Sequence, residues 1–348
     1  MADRYWVGGT AAWDNTAGTK WATTSGGAGG AAVPTSADDV YFDANSGSGT
    51  ITIQGGNCRN LTTTGFIGTL TGTSSFQLYV YGNLTLAASH TYSAQTLVYM
   101  PGTGANRTLS SAGHALYRLS VYGAGTVTLT GDLTAGSLTV SNGATFDANT
   151  YNVAVQSGVD AYGSPSAQPV VKLSTGTWTL SGTGTVWWMY AEAIVEAPAG
   201  SKILLTNTGT GTKEFRSYGH SYSGTLEIQG SSVCTYVVLG SPALGTVKYS
   251  KTVASTFSFG SGSTISIAQW LVSGTSGNLV TLTGSTTTLT YTGIGKVSAD
   301  YLNISNITAT PNYTWYAGTH SVDSGGNTGW TFSDPPVASS IGFFACSF

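Results

Sequence analysis

Read for alternation, the chain divides into short stretches in which every second residue is apolar. The clearest is VYGNLTL at 80–86, and a close relative, TLTGDLTA, returns at 128–135. Looser echoes of the same x-L-x-aliphatic core occur as NLTT at 60, RLSV at 118, SLTV at 137, TLEI at 225 and YLNI at 301. Side chains along a strand alternate between its two faces, so Leu84 and Leu86 are predicted to point into a core and Asn83 and Thr85 to point away from it. Further strands are predicted at 50–53 (TITI), 96–100 (TLVYM), 152–155 (NVAV), 235–240 (TYVVLG), 264–272 (TISIAQWLV) and 279–284 (LVTLTG), most of them separated by Gly, Asn or Asp.

The spacing of the leucines predicts how these strands are arranged. Leu61 to Leu84 is 23 residues, Leu119 to Leu138 is 19, and Leu84 to Leu133 is 49, which reads as two coils of unequal length. Such intervals are too irregular for a hexapeptide-repeat helix and fit a single elongated right-handed parallel β-helix with variable turns. An array of antiparallel β-sandwiches would also give short strands at this spacing and is the alternative.

Three regions depart from the repeat. Residues 1–49 carry Trp6, Trp13 and Trp21 ahead of a Gly-rich loop, flat aromatics suited to cover the exposed end of a first coil. The stretch at about 161–225 holds Pro165, Pro169 and Pro198, the run VWWMYAE at 186–192 and KEFRSYGHSY at 213–222, and is expected as an irregular aromatic insertion in a solenoid spanning 50–332. Residues 333–348 follow two prolines with VASSIGFFACSF, an apolar tail expected to seek a partner surface through Ile341, Phe343, Phe344 and Phe348.

Composition narrows the function classes. Of 348 residues 8% are charged, against roughly 25% in an ordinary soluble domain, while 48 are Gly and 41% are hydrophobic. Collagen would need a strict Gly-X-Y period, and a disordered linker would lack the 19 Tyr, 11 Phe and 9 Trp found here. A net charge of -3 with 12 scattered Lys and Arg offers no basic face for a phosphate backbone, so nucleic acid is set aside. No apolar run approaches the length of a membrane-spanning helix. Cys58, Cys234 and Cys346 are odd in number and fit no zinc spacing, so buried thiols are expected. The opening MADRYWVGG has neither the basic nor the apolar region of a signal peptide, and synthesis in the cytoplasm is the expectation.

Candidate chemistry is sparse. Glycoside hydrolysis needs two carboxylates flanking one bond, and among 15 acidic residues Glu192, Glu196 and Glu214 stand out because they lie in the aromatic stretch. Glu192 or Glu196 stacked one coil from Glu214 would form such a pair, and Trp187, Trp188, Tyr190, Tyr218 and Tyr222 would offer a sugar-binding face. The plainer reading of the same residues is tryptophans filling a loop core and solvated glutamates. Asp38, Asp39 and Asp43 match no calcium-loop spacing and fit capping and turn chemistry. His90, His114, His220 and His320 lie in separate segments, so neither a metal nor a cofactor is expected. The six N-x-S/T sequences, at Asn60, Asn83, Asn106, Asn303, Asn306 and Asn312, fit turns or side-chain ladders.

The opening pattern W-x-G-G, W-D, W and V-P-x-x-x-D-D-V-x-F, together with DYLNI and HSVDSGGNTGWTF near the end, resembles the Thr- and Gly-rich parallel β-helical surface proteins of phages and bacteria. The resemblance implies a structural virion protein, either a head fibre or decoration protein or a tail fibre component, without catalysis. It further implies a homotrimer that contacts other virion proteins at the particle surface. The alternative is a host-glycan-binding adhesin or a polysaccharide depolymerase, on a phage or at a bacterial cell surface.

Overall fold

The computed structural model describes residues 1–16, 18–207 and 209–336. These form a parallel β-solenoid of about 13 coils. Cys346 and the four tail residues expected to form an assembly contact, Ile341, Phe343, Phe344 and Phe348, lie outside the described residues.

Each early coil lays strands on three faces. On the first, Leu61, Leu84 and Leu109 are in register, with Leu129 next. On the second, Ile51, Leu70 and Tyr92 are in register. On the third, Leu78, Val98, Leu119, Leu138, Val159, Trp187 and Phe215 form one inward column. Further along, the second and third faces share long bent strands such as Ala115–Tyr122, Leu133–Ser141 and Val153–Tyr162. The rung VYGNLTL behaves as its alternation predicts: Leu84 and Leu86 are buried while Asn83 is exposed. Burying a side chain of this size is worth about 1.5–3 kcal/mol, and the columns repeat that gain coil after coil.

The residue before the rung leucine ties neighbouring coils together. Oδ1 of Asn60 accepts the backbone N–H of Asn83 at 2.7 Å, and Oδ1 of Asn83 accepts that of Thr108 at 2.8 Å. The same ladder recurs where Asp132 accepts from the Asn152 N–H and Asn152 from the Thr177 N–H, each at 2.9 Å. These side chains satisfy backbone donors at the corners where the chain leaves the sheet ladder.

Two expectations are corrected. Leu84 and Leu133 do not share a column, because Leu133 begins another one that runs through Val153, Trp178, Ile203 and Leu226. The 161–225 stretch is no insertion: Val170–Lys172, Gly184–Met189, Lys202–Leu205 and Thr212–Ser217 all pair in parallel with the coils on either side. Trp178, Trp187 and Phe215 occupy inward positions that aliphatics hold elsewhere, so the strand pattern loses its Leu and Val signature without losing its geometry.

The first coil is closed by aromatics. Trp6, Trp13 and Trp21 are buried against one another and against Phe42, with Trp6 and Trp21 edge to face at 5.0 Å. Strand Trp21–Ala22 achieves this by folding back antiparallel on Asp3–Trp6. Near the other end Trp315 is buried, with Trp270 at 5.6 Å and Trp330 at 5.0 Å, and Phe332 packs on the core edge.

Two groups of ionisable side chains lie inside. Phe42, Phe66, His90 and His114 stack in sequence along a corner, the two imidazoles 4.5 Å apart. Burial, with His114 as the lesser cause, lowers His90 from 6.5 to about 4. The unfolded chain therefore takes up a proton between pH 6.5 and 4 that the folded chain refuses, so stability falls as pH drops through that window. A melting-temperature series over that range should show the decline, and His90→Phe should flatten it. An unchanged slope would assign the acid sensitivity to other groups. In the upper coils Lys213 is buried in the inward column with Tyr236 and Phe257, and its Nζ donates to the carbonyls of Ser181 and Gly182. Buried Lys251 donates to Ser232 O at 2.6 Å and Ser255 Oγ at 2.9 Å.

Candidate surface groove on the third face

The outward residues of the third face also stack in register. Their column reads Tyr79, Tyr99, Ser120, Thr139, Asp160, Trp188 and Arg216. Bulk at both ends with small side chains between them leaves an open groove of about 370 Å³. Leu97, Arg118, Ser137 and Gly158 form the adjoining column on one side. Gly158 sits at a close approach of coils, where a Cβ would meet the Thr185 carbonyl oxygen at 2.7 Å.

Tyr99 and Tyr162 line the groove, each as part of an aromatic cluster at one end of it. At one end Tyr79 and Tyr99 stack at 5.1 Å, with Tyr122 edge-on at 6.1 Å. At the other Trp188 and Tyr190 stack at 4.8 Å, Tyr218 lies 6.4 Å beyond, and Tyr162 meets Tyr190 edge-on at 6.0 Å. The Arg216 guanidinium covers Trp188 at 4.9 Å. Tyr162 and Tyr218 are among the most exposed large rings, at 45% and 50%.

Asp160 lies on the groove floor. It has no hydrogen-bond or ion-pair partner among the described residues, and burial pushes its carboxyl above the usual range. Arg118, on the wall, is likewise without a carboxylate partner among them. Glu214 is committed by contrast: Thr185 Oγ1 donates to it at 2.7 Å, and Arg216 Nε and Nη2 at 2.9 and 2.7 Å, all to Oε2. The Thr185 hydroxyl first and then Arg216 hold its carboxyl below the ordinary value.

A comparison with protein-family models, curated proteins and solved structures found no match.

The sequence-derived sugar face is thus divided. Trp188, Tyr190 and Tyr218 are on the outer surface together. Trp187 and Tyr222 are corrected to the core: Trp187 Nε1 donates to the Tyr222 hydroxyl at 2.8 Å, and neither side chain is free to meet a ligand. The glutamate pair is not assembled. Glu196 lies on the first face, where Lys172 is 3.1 Å away, and the register neighbours of Glu214 are Thr185 and Val237. Glu192 is half-buried in the turn that the Ala193 N–H closes onto the Tyr190 carbonyl.

Asp38, Asp39 and Asp43 act as caps and ties. Asp38 accepts from the Ala2 and Thr35 backbone N–H groups, Asp39 pairs with Arg59, and Asp43 caps the 3-10 turn Ala44–Ser46. Cys58 and Cys234 are buried free thiols.

Tyr79, Tyr99, Ser120, Thr139 and Asp160 were not singled out from sequence. Asp160 had a legible signal, since aspartate is depleted in strands and this one sits within VDAY. The groove itself had none, because it consists of small residues that become neighbours only once the register is known.

Proposed function

We propose that the protein is a rigid, non-catalytic spacer on the surface of a bacteriophage particle, a head fibre or decoration protein or a tail fibre component, assembled as a homotrimer. The observation that carries this reading is the continuous parallel pairing of coil on coil from Asp3 over Asp39 to Trp315 over Trp330, closed by buried tryptophans at its amino-terminal end. A stack in which each coil rests on the next is stiff along its axis, with stability summed from nearest-neighbour interfaces. The proposal makes the carboxyl-terminal end the docking end and the residues after Pro336 its contact. Chain truncated after Pro336 should keep its β circular dichroism yet lose trimer formation, measured by light scattering, and incorporation into particles, measured by mass spectrometry of purified virions. Normal assembly of the truncated chain would remove the tail as anchor.

A second reading, a glycan-binding adhesin, is favoured by the groove on the third face. Aromatic faces flanking hydroxyls and a carboxylate are the chemistry by which proteins hold sugars: rings cover apolar C–H faces and the polar groups meet hydroxyls. A depolymerase has less support, because Asp160 is the only acid that lines the groove among the described residues and Glu214 is held in an ion pair with Arg216.

A further inference from the structure

We propose that the groove of the third face binds an uncharged, linear oligosaccharide laid along the solenoid axis. In this arrangement Tyr99 and Tyr162, the two aromatics that line the groove, stack on sugar rings at its two ends, and Asp160 and Arg118 hydrogen-bond the hydroxyls between. This inference rests on the adhesin reading and specifies the ligand class, the direction of the chain and the residues that hold it.

The direction follows from the column. From Tyr99 the outward residues are Ser120, Thr139 and Asp160, one per coil, and Tyr162 lies two residues beyond Asp160 on the same strand, so the two rings stand three strand spacings apart along the axis. At ~4.8 Å per spacing that is about 14 Å, the reach of a short oligosaccharide. A chain crossing the strands meets both aromatic ends, whereas a chain running along a strand meets at most one. Ser120 and Thr139 leave the space that bulk at either position would fill.

The ligand class follows from the charges. A half-buried carboxylate with no donor from the protein accepts hydrogen bonds from whatever fills the groove, and the exposed Arg118 guanidinium in the same lining donates them. A sugar hydroxyl is donor and acceptor at once, so one uncharged ring can satisfy Asp160 through a pair of hydroxyls and Arg118 through another oxygen. An acidic sugar would place a second negative charge beside Asp160 in a partly desolvated groove, which costs binding energy. A cationic sugar would satisfy Asp160 and leave Arg118 opposed by like charge.

The test uses the full chain on an array of purified bacterial capsular and O-antigen polysaccharides, sorted into uncharged, acidic and amino-substituted sets, with affinities measured by calorimetry for fragments of the polymers retained. Uncharged polymers should be retained. Tyr99→Ala and Asp160→Asn should each weaken binding at least about tenfold. Thr139→Trp should abolish it by filling the groove, while circular dichroism and melting temperature stay close to those of the parent. Retention of acidic or amino polymers, lost in the same variants, would overturn the ligand class and leave the adhesin reading standing. Binding that survives all three variants would overturn the site. If no polymer in any set is retained, the adhesin reading falls with the inference and the spacer reading alone remains.

Discussion

Trp187→Ala should lower the unfolding free energy by about 3–5 kcal/mol, the range for removing a large aromatic from a packed core, whereas Trp188→Ala should change it by no more than about 1 kcal/mol. The two residues are adjacent in sequence and opposite in environment. Trp187 is fully buried, parallel to Phe215 at 5.9 Å, edge-on to Trp178 at 5.8 Å, and bonded to the Tyr222 hydroxyl. Its loss opens a cavity in the middle of a column, and Tyr222 keeps only its second partner, Ser217 Oγ, at 3.0 Å. Trp188 faces outward between Tyr190 and Arg216, so its truncation removes two partly exposed surface contacts and opens no cavity in the core. Urea titrations of both variants, followed by circular dichroism, measure the contrast. Equal losses would mean that the outer aromatic cluster is part of the structural core.

The second large effect is expected at alkaline pH. Burial lowers Lys213 from 10.5 to about 8. Between these values the unfolded chain still holds the proton that the folded chain has released, so stability rises with pH across that window. The gain reaches about 3 kcal/mol above pH 10.5, where the unfolded chain too has released its proton. Lys213→Met should remove this rise. The methionine fits between Tyr236 and its neighbours in an apolar column, while the Ser181 and Gly182 carbonyls lose a donor. Melting temperatures of parent and variant from pH 7 to 11 decide the matter, and parallel curves would show that Lys213 does not govern the alkaline limb.

Period-two alternation made the rungs legible, down to the side on which Leu84 and Asn83 lie. It could not say which of three faces a strand joins, and for that reason Leu84 and Leu133 look like one column and are two. Nor could it assign VWWMY. A register shift between Thr185 and Trp187 puts Val186 and Trp187 both inside, so strict alternation fails at the very residues that were candidates for a surface. The stretch looked irregular because aromatics replaced aliphatics, although burial and pairing continued unchanged. The groove lay beyond reach for a different reason: a depression is an absence of bulk, and absence has no motif. The asparagines of the N-x-S/T sequences were legible as turn or ladder residues, and Asn60 and Asn83 are ladders because an amide that repeats once per coil has a backbone donor waiting above it.

In-register pairing has one more consequence, for how such a rod changes size. Val247 sits under Trp270, 23 residues on, and the coil between them touches only its two neighbours in the stack. Excising or duplicating one complete coil between strands paired in the same register alters the length by a single strand spacing of ~4.8 Å. The molecule is in effect a ruler graduated in coils. Gain or loss of whole coils can reset how far one end stands from the other, while the tryptophan closure and the opposite terminus keep their own chemistry.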